Sequence, residues 1–478
     1  MIKHSLLALL FVGVSSLCLR AQTSTAPWSL EMCVNYALQH SLRIKQAQTL
    51  VRDGEISVKQ GQFSRLPSLN GSTSAGSQFG RTIDPFSNTF DTRTITFNSL
   101  SLNAGMPIYS GGRINAGIQQ SKLELQARAY DLENASNTLA LEVARAYLTI
   151  LLAQEQLDNA QRQLRLSRQQ LEQTEKLISA GALPPNDRLD VTAQIARNEQ
   201  VVVEISNAVN GAYLNLRQLM EVPAEEQFTI RRPEIQIPEN VEDDIFSFPI
   251  VFSAALQNQP SIKSADLRLQ AAYKGITIAR SGALPTLGLG GNLNTAFSSV
   301  ARRISGLQTV RQSQTVFIDG QPFTIETDIL SPSLENIPYF DQLSNNFGQS
   351  FGLNMSIPLY NNHRNHFALE RARLSVLNQE LDGRRQQQFL QTAVQQAIND
   401  ARAAREAWTV GRKAVDAAQA AFENAQKRFD VGTINALQYS TARLTLDSAQ
   451  VDFIRAKYQY LFNLKTVEFY LGKPLQIN

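Results

Sequence analysis

The sequence predicts a mainly α-helical chain that also carries transmembrane β-strands and is built from two tandem repeats. Three observations lead there. Residues 113–180 and 362–431 read as two copies of one very long amphipathic helix, each followed by a turn glycine. Short runs between the helices alternate apolar and polar side chains with period two. The first 21 residues have the make-up of a secretory signal.

In that signal, residues 1–21, Lys3 supplies the positive start, Leu6 to Leu19 the apolar core, and Leu19-Arg20-Ala21 a cleavage site before Gln22. A retained anchor is the alternative, but the apolar run is short for a span. Lipidation at Cys18 is a second alternative, opposed by Leu17, which is larger than such processing prefers. Removing Lys3 and Arg20 leaves 43 basic residues against 42 acidic ones, a formal charge of +1. That balance lacks the basic face that nucleic acid requires. Cys33 alone remains, so there is no intrachain disulfide framework. No run of 18 apolar residues follows the signal. A mature chain that spans a membrane must then do so as strands.

Residues 22–221 form the first repeat. It opens on a medium helix over about 29–64, whose stripe Val34, Ala37, Ile44, Val51, Val58 maps at an offset of 218 onto Phe252, Ala255, Ile262, Leu269, Ile276. The long helix 113–180 has a seam of Leu139, Val143, Ala146, Ile150, Ala153, Leu157, Ala160, Leu164, Ser167, Leu171, Thr174 and Ile178. Spacings of four and three alternate without a break, which is a heptad stripe. An offset of 251 gives Leu390, Val394, Ala397, Ala401, Ala404, Trp408, Gly411, Val415, Ala418, Phe422, Ala425 and Phe429. Gly181 and Gly432 share that offset and mark the turns. Common register plus common stop argues duplication. A helix of about 68 residues is roughly 100 Å long. A second medium helix, 186–221, completes the repeat. After a linker, 222–249, residues 250–471 repeat the order with a helix near 250–281, the long helix 362–431 and a helix over 436–471. The tail is 472–478.

Each repeat has one hairpin, 67–108 and 285–359. Leu100, Leu102, Ala104, Met106 and Ile108 alternate with Ser101, Asn103, Gly105 and Pro107. Phe351, Leu353, Met355, Ile357 and Leu359 alternate likewise, as do Leu287, Leu289, Leu293 and Phe297; residues 69–79 are a weaker version. Runs of about 10 residues with one apolar face carry the transmembrane β-strand signature. Tyr109 and Tyr360 suit an interfacial aromatic girdle. Pro67, Pro107, Pro285 and Pro358 are read as strand–helix junctions, where a missing N–H marks the change of structure. Four strands cannot close a barrel, and lipid tolerates no open edge. Closure is then intermolecular, and a trimer is the smallest ring with an open interior.

Taken together, these residues resemble the TolC-like outer-membrane efflux family over almost the whole mature chain. The resemblance rests on the two halves, the Leu66-Pro67 and Leu284-Pro285 steps into strands, and the exits Pro107-Ile108-Tyr109 and Pro358-Leu359-Tyr360. It rests also on the turns 178–182 and 429–433, on Leu189-Asp190-Val191 and on Ala442. It implies a homotrimer with a 12-stranded β-barrel, four strands per chain, continued by a long periplasmic α-helical coiled-coil barrel. It further implies an exit duct for efflux or type I secretion. The implied partners are a periplasmic adaptor (membrane-fusion) protein, an inner-membrane efflux pump or ABC transporter, and outer-membrane lipid. The first turn carries two extra residues beside the second. Members with an acidic ring at the mouth have it after the second turn, where this chain has Gln438 and Thr441; its nearby acids, Asp187 and Asp190, follow the first turn. Loop 298–346 is expected outside the cell.

Signs of chemistry are few. His363 and His366 lie at i, i+3 without further ligands, a weak metal signal read as solvated helix-start histidines. Gly111-Gly112 and Gly288 to Gly291 lack the Lys-Ser/Thr of a phosphate loop. The acidic run Glu242-Asp243-Asp244 suits a helix N-terminus. No catalytic constellation stands out, so neither enzyme activity nor a cofactor is expected. The rival from another class is a secreted coiled-coil scaffold with no transport role.

Overall fold

The structure is a computed structural model and describes residues 27–473, apart from 84–89, 93, 227, 234–242, 319, 432 and 435. The segment 1–21 with Cys18, the turn residue Gly432, and parts of the 222–249 linker and the 472–478 tail lie outside the described residues. In chain order the elements are α1 Leu30–His40, α2 Leu42–Phe63, β1 Ser68–Gln78, β2 Arg81–Ile83, β3 Phe90–Thr92 and β4 Ile95–Ser110. Then come α3 Arg113–Ser179, α4 Asp187–Met220, a 3-10 turn Asp243–Phe246, α5 Phe248–Asn258 and α6 Pro260–Ser281. The remainder is β5 Thr286–Ser298, β6 Arg302–Ile318, β7 Gln321–Asn336, α7 Tyr339–Asn345, β8 Gly348–Ser356, α8 Arg364–Asp430 and α9 Ala436–Tyr470.

Both long helices, α3 and α8, have 67 residues. Every seam position from Leu139 to Ile178 and from Leu390 to Phe429 is buried or half-buried. The heptad stripe is therefore the packed face. Neither helix presents a span, for no described helix is long and apolar enough to cross a membrane.

Two compact units divide the chain. The helical unit holds the segments up to Arg52, Gln126–Asp266 and from Leu381 onward. One of its cores joins Cys33, Ala37, Ile44, Leu139, Val143, Ile150, Leu216 and Met220. Its counterpart joins Phe246, Val251, Ala255, Leu390, Val394, Ala401, Tyr460 and Val467. Each fully buried large aliphatic contributes about 1.5–3 kcal/mol. Trp28 forms a parallel bridge to Ile230, and the Tyr147 hydroxyl, buried beneath, donates to the Arg231 carbonyl oxygen. Burial pushes the Cys33 thiol up to about 12. A thiol so held stays protonated and inert.

The medium helices expected over 29–64 and 250–281 are each two helices. Ser41 leaves helical geometry (φ −55°, ψ 127°) between α1 and α2, and the freed N–H of Leu42 donates to Glu221 Oε1 at 2.7 Å. Gln259 does the same (φ −71°, ψ 123°) between α5 and α6. Pro260 follows it as the first residue of α6, where its missing N–H costs nothing.

The strand unit holds Asp53–Leu125 and Leu267–Glu380. Its main sheet is antiparallel with order β1-β4-β5-β8, so β1 and β8 are paired on one side only. Register puts Leu102 opposite Leu293, Met106 opposite Leu289, and Leu289 opposite Leu353, all on one face. Serines and asparagines fill the other, linked as Ser72–Ser101 and Ser74–Ser99 at 2.7 Å and Asn292–Asn103 at 2.6 Å. The apolar face is bare: Phe351 is 92 % and Leu69 67 % exposed.

Three expectations need correction here. Pro107 is no junction residue but lies inside β4, where the register shifts between Pro107 and Tyr109. Proline cannot donate to the ladder, so the ladder bulges around it. Strand β8 stops at Ser356, leaving Pro358 beyond its end, while Pro67 and Pro285 directly precede β1 and β5. Most of the loop 298–346 is a regular hairpin, β6 paired with β7. In β7, Ile325, Thr327 and Ile329 recur with a period of two, and β6 carries the β-branched pairs Thr309-Val310 and Thr315-Val316, which is strand chemistry.

Candidate functional site

The turn after α3 is built by backbone geometry. Gly181 has φ +69°, its N–H donates to Ile178 O, and Ala182 N–H donates to Leu177 O, each at 2.9 Å. That pair of bonds is the Schellman closure, which favours glycine at the left-handed position. An added Cβ at Gly181 would meet nothing within 4 Å, so φ rather than space calls for glycine. After α8, Thr433 N–H donates to Arg428 O at 2.8 Å.

Asn186 precedes α4 without a side-chain cap, and Asp187 and Asp190 both lie in its first turn. Asp187 is therefore not the cap residue. Two carboxylates there face the positive end of the helix dipole, worth about 0.3–1 kcal/mol each. Asp187, Asp190 and Thr441 line one cavity of about 330 Å³ together with Tyr439, Arg443, Ser167, Gln194 and Arg197. Gln438 is exposed and is not among the residues lining it. Tyr439 stacks on Phe429 at 4.9 Å and thereby ties α9 to α8.

Sequence reading missed the polar packing in the wall of this cavity. Asn198 Nδ2 donates to Ser167 Oγ at 2.7 Å, and Arg443 Nη2 donates to Gln163 O at 2.8 Å. Its trace in the sequence is Ser167 and Thr174 on a seam that is otherwise apolar. Elsewhere, His363 and His366 have ring centroids 6.4 Å apart. No group of three or more metal-ligating side chains occurs among the described residues.

A two-faced sheet with open edges and two 67-residue heptad helices occur in one chain. The profile described as outer membrane efflux protein matches residues 33–221 and 251–473, and the chain belongs to that family. It is an outer-membrane protein. It is 24 % identical over 363 residues to the outer membrane protein TolC of Salmonella enteritidis, a match covering 73 % of this chain and 65 % of that one. The match thus spans less than two thirds of that relative's length. Among solved structures, CusC superposes with a TM-score of 0.72 at 17 % identity, covering 93 % of this chain and 92 % of CusC. VceC of Vibrio cholerae superposes at 0.71 and 16 %, covering 94 % and 97 %. These likenesses establish the fold.

Proposed function

We propose that the chain is the passive exit duct of a tripartite efflux or type I secretion system, working as a homotrimer. The main sheet carries the reading. Its two edges each lack a neighbour, one face is apolar and exposed, and the other is lined by Ser, Asn and Gly. In lipid such edges must be paired. Three copies joined β8 to β1 give 12 strands with the apolar face on lipid and the polar face on the lumen. The helical unit forms the periplasmic tunnel, and its turns meet a periplasmic adaptor and an inner-membrane efflux pump or ABC transporter. The β6–β7 hairpin is assigned to the cell exterior.

The test is extraction in mild detergent with fractionation of the membranes. The expected result is an outer-membrane trimer of three times the chain mass that dissociates only on heating. A soluble monomer with protected strands would establish the scaffold reading instead. At the mouth, Asp187 and Asp190 take the place of an acidic ring that Gln438 and Thr441 cannot supply. Asp187→Ala with Asp190→Ala should lower cation preference in planar bilayers; unchanged selectivity removes these residues from the pore.

A further inference from the structure

Inside the packing of α9 on α3 lies a carboxylate with poor compensation. The Asp447 side chain is 19 % exposed, and Nε of Arg443 stands 4.0 Å from its Oδ2, too far for a hydrogen bond. Arg443 is itself 8 % exposed and already donates to the Gln163 carbonyl oxygen. Gln163 Nε2 and Asn159 Nδ2 are buried nearby on α3 without a hydrogen-bond partner. Among the described residues, the positive charge found to act on Asp447 is that of Arg443, 4.0 Å away and also bonded to the Gln163 carbonyl oxygen. Among the other groups, Tyr439 on α9 is raised by burial, with Asp430 of α8 and Asp447 adding to the rise. Arg162 of α3 turns to Asn159 Oδ1 at 3.4 Å.

A buried carboxylate whose nearest cation stands no closer than 4.0 Å is driven toward its neutral form when desolvation outweighs that attraction. We propose that Asp447 is a proton-responsive clasp that tightens the packing of α9 on α3 as the medium acidifies from neutrality. Burial pushes the Asp447 carboxyl up to about 6, against the lowering pull of Arg443 and of the Gln163 side chain. Because the folded value lies above the ordinary 3.8, the packed state binds the proton more tightly than the opened state. Stability at this contact thus rises as pH falls through about 6 and levels off below the unfolded value. On protonation the carboxyl gains a donor and loses its need for a cation, while Arg443 keeps its bond to α3. Acid therefore closes this part of the bundle, and neutrality loosens it.

Hydrogen exchange of the full-length, detergent-extracted protein tests this without any transport readout. Peptides over 436–450 and 156–170 are followed from about pH 7.5 to 5, with intrinsic exchange corrected and peptides over the 390–404 seam as reference. Protection of the first two should rise about tenfold relative to the seam, the gain expected when a carboxyl near 6 returns to its ordinary value on opening. Asp447→Asn keeps the shape without the charge, so it should sit at the acid level at every pH. Tyr439→Phe should keep the wild-type pH response. A flat wild-type profile, or an unchanged response in Asp447→Asn, overturns the clasp; so does loss of the response in Tyr439→Phe.

Discussion

The starts of the two long helices use the same backbone and different residues. Ahead of α3, Gly111 and Gly112 have φ +61° and +81°; ahead of α8, Asn362 and His363 have +54° and +57°. Both pairs are left-handed, and the sequence offset between them is the 251 of the long-helix seam. At Gly111 an added Cβ would lie 2.9 Å from both Leu284 Cβ and Ser281 O, so space as well as φ demands glycine. At Gly112 nothing lies within 4 Å, and only φ does. Asn and His are among the side chains enriched in this conformation, so the second half can hold it at a cost. Backbone shape at the junction is the shared requirement. Residue identity follows only where a neighbour crowds the site.

The largest expected effect follows from that crowding. Gly111→Val combines left-handed strain of about 1–3 kcal/mol with overpacking of about 1–3 kcal/mol. Assembled, heat-resistant protein should be lost, whereas Gly112→Asn should assemble close to wild type. Equal yields for both would erase the distinction between space and φ.

Next come the seams. Ala153 and Ala404 are buried, and Leu at either should cost about 1–3 kcal/mol by overpacking. Serine there should be milder. A thermal midpoint that falls for Ala153→Leu and stays put for Ala404→Leu would mean that the two seams pack unequally.

The helix breaks offer a smaller contrast. Glu221→Gln weakens the charged acceptor on Leu42 N–H, and charge-assisted bonds are roughly twice as strong as neutral ones. A loss of about 0.5–1 kcal/mol is expected in chemical denaturation. Pro260→Ala at the matching break should shift stability by less than about 1 kcal/mol. Smallest of all, His363→Gly should relieve strain and raise the thermal midpoint slightly, with a gain of up to about 1 kcal/mol. A fall there would show that the ring packing of His363 against Tyr360 outweighs the backbone cost.

What was legible in the sequence is what is periodic. The heptad seam repeats over twelve positions in each long helix, and every one is covered in the structure. The apolar alternation of Leu287, Leu289 and Leu293 likewise marks one face of β5. Single events were not legible. Ser41 breaks a helix without Gly or Pro because a carboxylate 179 residues away receives the freed N–H. Pro107 resembles Pro67 and Pro285 in the sequence, yet it sits inside a ladder because β4 runs three residues past it. Of the candidate mouth residues, spacing placed Asp187, Asp190 and Thr441 near turns, but the cavity they share depends on how four helices meet. Arg443 and Asp447 have the i, i+4 spacing of any exposed helix pair, and only their burial distinguishes them.

The unpaired edges of β1 and β8 also have a kinetic meaning. A strand edge with free N–H and C=O groups pairs with whatever extended chain arrives first. With its apolar face still in water, the strand unit is an aggregation competitor of its own assembly. Under the proposed closure between copies, correct pairing is a meeting of several chains and slows steeply on dilution, whereas a holdase that shields one edge acts on each chain singly. For such an assembly, the time each chain spends between secretion and insertion bears on its yield alongside the stability of the closed ring.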